Sequence, residues 1–376
     1  MSRIVVAGAL AQKPAYPGHA WMFVQWLLGL RRLGFDVLFI DRMTDDMGSV
    51  EAGRAFLDAV MAQFGLADDY LLLGRGSQCI SGTGRAEAIA RTKGSLLINV
   101  NGFLNDQELL GVANHRVYLD IDPGFGQMWR ELGLHDPFTG HDSFVTLAEN
   151  IGKAECRVPT CGLEWITTRQ PVVLDLWPAR RPTDEGAFTS IGSWRGPFAP
   201  VHFGGDTFGL RVHEFRRFVD LPRLTGREFE LALDIHHTET SDREVLLGSG
   251  WRLLEPHLVA CDLDGYREFI RHSRAEFMVA KNMYVATRGA WFSERSACYL
   301  ATGRPVIAED TGLSGLYPLG EGLIAFQTLE EAADAVESVC AKYVRHAEAA
   351  HEIAEAYFDS DKVLTALLDH LASAVA

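Results

Sequence analysis

The residues best suited to chemistry lie between Trp291 and Gly312, in WFSERSACYLATGRPVIAEDTG. Ser293 is a good N-cap for a helix over 293–303. The unpaired N–H groups of its first turn, with the helix dipole, make a ready site for a diphosphate. Arg295 and the nearby Arg288 can add charge-assisted bonds, and Glu294 lies in the same turn. Gly303 ends this helix and Pro305 enters a strand over 304–310. Glu309, Asp310 and Thr311 then sit at the strand's carboxyl end, where they can accept hydrogen bonds from sugar hydroxyls. Lys281 and Asn282 follow another strand, EFMVA, and reach a neighbouring strand end. The plain alternative is a capped core helix with a surface arginine.

These residues need elements to position them, and the hydropathy pattern supplies two similar series. In the first, short apolar runs at 3–10, 35–41, 70–73, 95–100, 116–122 and 144–147 alternate with helical stretches near 19–33, 50–64, 84–93 and 125–133. Around 157–187 the periodicity stops, with Pro159, Pro171, Pro178 and Pro182 and the charged run 180–185. The second series has strands at 188–194, 230–235, 257–261, 276–280 and 304–310. Helices lie between them near 208–219, 242–249, 265–273 and 293–303, and a helical tail begins at 328 and breaks near 357–361. Strands alternating with helices imply right-handed crossovers and a parallel sheet covered on both faces. Ligands of such sheets bind at the carboxyl ends of the strands.

The Trp291–Gly312 segment resembles the donor site of the GT-B glycosyltransferases, two-Rossmann enzymes that use nucleotide sugars; GRPVIAEDTG is similar to their "G-x-P-V" element. That resemblance implies an α/β fold of two Rossmann-like domains facing a central cleft, with the C-terminal helix crossing back to the N-terminal domain. It assigns 1–170 to an acceptor domain, 171–187 to a linker, 188–355 to the donor domain and 356–376 to the returning helix. GSWRG (192–196) resembles the glycine loop that approaches the phosphates, which makes Ser193 and Arg195 donor-site candidates. Near the N-terminus, Gly18-His19 followed by Gly34-Phe35-Asp36-Val37 is similar to the base region of inverting family members that modify small molecules. His19 is then the candidate general base. A histidine titrates near neutral pH, and a helix N-terminus keeps it uncharged. A carboxylate should orient its ring, with Asp122 favoured and Asp120 second.

The chain departs from the family in three places. The E-x7-E of retaining members is missing, because Cys298 and Ala290 occupy those positions; the donor signature of plant secondary-metabolite transferases is also missing; and Met22 stands where a proline is usual. The phrases LLGLRRLGFDVLFID, AENIG and WFSERSACYLATGRPV resemble an uncharacterised bacterial group within the same class.

The implied reaction is metal-independent, inverting transfer of a sugar from a nucleotide-diphosphate donor to a small-molecule acceptor, with no cofactor, as in natural product biosynthesis. A sugar-nucleotide 2-epimerase on the same fold and a non-catalytic sugar-nucleotide-binding protein are the alternatives. Asp120-Ile121-Asp122 and Asp262-Leu263-Asp264 are DxD runs of the kind that holds a metal in the other large transferase fold, but such runs arise easily in so acidic a chain. His236-His237 with Glu239 lacks a third spaced ligand. Neither G-x-G, at 82–84 and 124–126, completes a dinucleotide fingerprint, and there is no P-loop.

Composition agrees. The 376 residues are 47% hydrophobic and carry a net charge of −15, which argues against coating nucleic acid or anionic lipid. No apolar run reaches the roughly 18 residues of a membrane span. The six cysteines form no CxxC pair, and MSRIVVAGAL enters a strand at once, so a cytoplasmic protein with reduced thiols and no leader is expected.

Overall fold

A computed structural model describes residues 3–14, 16–179, 185–196 and 198–375. Residues 180–184, most of the charged run 180–185 in the expected linker, lie outside them. The chain divides into two compact units. One comprises Met1–Leu147, Thr160–Val173 and Ser360–Ala376, and the other Ala148–Pro159 and Leu174–Asp359. Residues 148–159, read from the sequence with the first domain, thus group with the second unit.

The first unit is built on a sheet of β1 (Arg3–Gly8), β2 (Asp36–Arg42), β3 (Tyr70–Leu73), β4 (Cys79–Gly82), β5 (Leu96–Val100), β6 (His115–Asp120), β7 (Ser143–Thr146) and β8 (Trp165–Thr167). Their spatial order is β4-β3-β2-β1-β5-β6-β7-β8, parallel throughout except for β4. Near-continuous burial along β1 and β2 is what a sheet covered on both faces requires. The order reverses between β1 and β5, which places the loops after those strands at the topological switch point.

The helix Pro17–Arg32 starts with proline in its first turn and is apolar almost all round, so it is buried. Gly34, at φ +87°, follows its end in the left-handed region that glycine tolerates. The C-terminal helix Ser360–Val375 packs on it within this unit. Gly29 makes the fit possible: a Cβ there would lie 2.6 Å from a Leu364 methyl. Arg32 pairs with Asp361 at 3.2 Å.

The second unit holds β9 (Phe188–Ser193), β10 (Val201–Phe203), β11 (Asp206–Phe208), β12 (Phe229–Asp234), β13 (Arg252–Leu253), β14 (Ala275–Met278), β15 (Val306–Glu309) and β16 (Leu323–Phe326). Six of them form an all-parallel sheet in the order β13-β12-β9-β14-β15-β16, with its switch point between β9 and β14. A closed aromatic core that includes Phe215, Phe229, Trp251, Phe277 and Phe326 lies against it. Both sheets are thus Rossmann-like, as the alternation of elements predicts.

Two sequence expectations fail here. HLVAC (257–261) is not a strand: Pro256 opens a short helix, Pro256–Val259, and the edge strand is instead Arg252–Leu253. The helix expected over 208–219 is interrupted, and part of the chain before it folds into the antiparallel β10–β11 hairpin.

Candidate donor and base sites at the two switch points

At the switch point of the second unit, β9 ends in Gly192 and Ser193. Gly192 has φ +147°, and a Cβ there would lie 2.9 Å from Nη1 of Arg211 and 3.4 Å from Nη1 of Arg295. Two guanidinium groups therefore meet under one bare stretch of backbone. Arg211 donates from Nη1 to the Ser193 carbonyl at 3.0 Å. Burial, then the charge of Arg295, pushes its pKa down to about 10. Arg295 is 6% exposed and donates from Nε to Glu276, a fully buried carboxylate on β14. Two atoms of this cluster, Nε of Arg211 and Oε2 of Glu276, are buried without a partner among the described residues. Within the buried cluster the two cations face one buried anion, Glu276, while the half-buried Glu294 acts on both through its charge.

Ser293 caps the helix Glu294–Ala301 as expected, its buried Oγ accepting from the Arg295 N–H at 3.3 Å. Arg295 therefore lies in the first turn of a capped helix, beside the arginine pair.

The other donor-site candidates sort differently. Arg195 is exposed and held bidentately by Glu239, with Nη2 to Oε2 at 2.9 Å, so its guanidinium is already paired. Lys281 donates to the Tyr284 hydroxyl at 3.0 Å and lies over the Phe198 and Tyr284 rings. Asn282 bridges Glu214 and the Gly209 N–H. Arg288, in the left-handed region at φ +52°, reaches Asp310 at 3.4 Å.

The acidic segment after β15 is buried. Glu309 is 1% exposed; its carboxyl meets the Ala280 N–H at 3.1 Å and Arg217 at 3.3 Å. Burial and the neighbouring Glu214 carboxyl raise its pKa to about 9, so the two acids share a proton. Asp310 accepts from the N–H groups of Gly312 and Leu313 at 2.8 and 3.0 Å, and Thr311 donates to the Trp291 carbonyl at 2.7 Å. These contacts turn the chain after β15 and hold its end.

At the first unit's switch point, His19 is half-buried in the opening turn of Pro17–Arg32. Its Nε2–H donates to the Ala9 carbonyl at 3.1 Å, and its ring meets Phe23 edge-on at 5.2 Å. Desolvation, then the charge of Lys13, lowers its pKa to about 3, while Asp122 pulls the other way. The imidazole is therefore neutral at physiological pH.

Asp122 acts on His19 through its charge. Asp120 does not orient His19: it is buried, and accepts from Gln127 Nε2 at 2.6 Å and Thr146 Oγ1 at 2.9 Å. Burial, first, raises its pKa to about 7. Among the described residues, no group of three or more His, Cys, Asp or Glu side chains comes together as a metal cage. Among them, too, no helix is long and apolar enough to cross a membrane.

Sequence reasoning missed three residues of these sites. Glu276 was visible in principle, as a charge inside the apolar strand AEFM. Glu214 and Arg211 carry no such signal, because their roles depend on how 201–217 folds.

The glycosyl transferase-like family model matches residues 227–369. No curated protein matches the chain in sequence. Solved structures share its fold at low identity. AviGT4, a glycosyltransferase involved in avilamycin A biosynthesis, is 14% identical over 98% of this chain and 96% of its own, with a TM-score of 0.55. Anabaena HepE, solved with UDP and glucose, is 12% identical over 99% and 100%, with a TM-score of 0.59. An α-glucosyltransferase, solved with UDP and a mismatched 13-mer DNA, is 11% identical over 99% and 100%, with a TM-score of 0.62. The chain thus has the GT-B fold.

Proposed function

We propose that this chain, which carries a glycosyl transferase-like domain over residues 227–369, moves a sugar from a nucleoside-diphosphate donor to a small-molecule acceptor. The observation that carries this reading is the arginine pair beneath Gly192. Two guanidinium groups, the buried Arg295 and the half-buried Arg211, meeting at the switch point of a parallel sheet beside the first turn of a capped helix, suit a diphosphate. The UDP bound in two of the fold's relatives supports the same ligand class.

In this reading Arg211, Arg295 and the helix N-terminus stabilise the charge that develops on the departing diphosphate. His19, held neutral, takes the proton of the acceptor hydroxyl or amine as its lone pair attacks the anomeric carbon. Direct displacement inverts that carbon and needs no resident metal or cofactor. Asp122 stabilises the imidazolium that forms.

The experiment has two arms. Nucleoside diphosphates and their sugars are screened by thermal shift, because a ligand that binds only the folded chain raises its melting temperature by mass action. With the donor so identified, His19→Ala should abolish transfer while donor binding persists. Turnover near the wild-type rate in His19→Ala removes the base assignment; donor consumed without any acceptor removes the transfer itself.

A further inference from the structure

The surroundings of His19 decide which ring nitrogen is free. A carbonyl oxygen only accepts, so the contact with Ala9 at 3.1 Å puts the proton on Nε2. Nδ1 has no protein partner among the described residues. It is therefore the nitrogen that carries the lone pair.

What fixes the Ala9 carbonyl is not on the same element. Ala9 belongs to the turn between β1 and Pro17–Arg32, and that turn is tied to β2. Asp41, the partner of Gly8 across the two strands, is 1% exposed. Its Oδ2 accepts the Ala11 N–H at 2.6 Å, its Oδ1 accepts the Arg42 N–H at 2.6 Å, and the Leu10 N–H also binds the carboxylate. Three backbone donors on one buried carboxylate determine how the turn leaves the strand. The ring is clamped from the other side as well. Phe23 lies across Gly8, where any Cβ would strike it at 2.1 Å, and its ring packs against His19.

We infer that His19 acts from Nδ1, with the Ala9 carbonyl taking the orienting place of a carboxylate, and that Asp41 is the positioning residue that holds this carbonyl through Leu10 and Ala11. The inference rests on the reading of His19 as the base. The proton taken from the acceptor goes to Nδ1, giving an imidazolium whose Nε2–H remains on Ala9. A backbone carbonyl can orient a ring but adds no full charge, which leaves Asp122 to act at longer range.

The test reads the tautomer directly. Long-range nitrogen–proton correlation spectra of the full chain with labelled histidine, at neutral pH and without ligand, should show His19 as the Nε2–H tautomer. Its signals are identified by their loss in His19→Gln. Asp41→Asn keeps the shape but replaces one acceptor oxygen by a donor. It should mix the tautomers and lower kcat by about 10²-fold, with KM for the donor unchanged. A wild-type ring in the Nδ1–H form overturns the inference, whether or not Asp41→Asn folds. Asp41→Asn with wild-type tautomer and kcat overturns the role of Asp41. Failure of the base reading shows separately, as turnover that survives in His19→Ala while the tautomer stays as described.

Discussion

Arg295 has two possible reasons to exist, and a pair of substitutions separates them. It neutralises Glu276, and it also places its Nη1 beneath Gly192. Arg295→Met removes both functions. Glu276, fully buried, then has neither oxygen paired. Breaking a buried pair from one side costs roughly 3–5 kcal/mol, a large share of a domain's total of about 5–15 kcal/mol. A melting temperature far below wild type is therefore expected, and weak nucleotide binding in that variant would prove nothing. Adding Glu276→Gln removes the stranded charge, and the double variant should recover to within about 1–2 kcal/mol of wild type.

Nucleotide binding should not recover with it. One charge-assisted bond to a phosphate contributes about 1.5–3 kcal/mol, so its loss weakens Kd by roughly 10- to 100-fold. Chemical denaturation gives the stability and calorimetric titration with the nucleoside diphosphate found by thermal shift gives the Kd. A double variant that folds like wild type and binds like wild type refutes the argument: Arg295 would then be a structural counter-ion and nothing more.

Three other outcomes follow from the structure. Glu309 keeps its proton in the folded chain up to about pH 9, whereas in the unfolded chain it loses it near the ordinary glutamate value of 4.5. Between those limits the native state binds more protons, so stability falls as pH rises, with a slope of at most about 1.4 kcal/mol per pH unit for one proton. Glu309→Gln should flatten that slope in denaturation curves taken from pH 5 to about 9, and an unchanged slope would mean the carboxyl is ionised. Gly29→Ala drives a methyl against Leu364 and should cost about 1–3 kcal/mol in the denaturation midpoint of the first unit. Transfer should persist in excess EDTA, and a strict requirement for a divalent ion in the same assay would return attention to the DxD segments.

Much of this molecule was legible from its sequence because apolar strands ended by glycine or acid leave a strong local signal. RIVVAG and DVLFID are buried along nearly their whole length, and the Ser293 cap is where residue type alone puts it. HLVAC was read as a strand because four apolar residues in a row have no helical period of their own, and only the preceding Pro256 marks a helix start. The sites were less legible for a different reason. Arg195 and Arg211 are alike in sequence, yet one is spent on Glu239 at the surface and the other lies under Gly192. Which arginine faces an anion depends on the β10–β11 hairpin between them, and no local spacing encodes that. Glu309 and Asp310 pose the same question: an acid at a strand end serves a ligand or the backbone turn equally well, and their N–H partners became visible only once the fold was in place.

The return of Ser360–Val375 to the first unit has a bearing on the order in which the chain becomes whole. On a ribosome the 147 residues that open the first unit emerge before the second unit, but the helix that covers Gly29 and meets Arg32 emerges after it. The second unit is nearly continuous in the chain, from Leu174 to Asp359, and has all of that stretch before the final helix is made. Domains fold as units during synthesis. The unit that begins first therefore finishes second, and until Ser360–Val375 emerges it exposes the apolar face of Pro17–Arg32 that this helix covers.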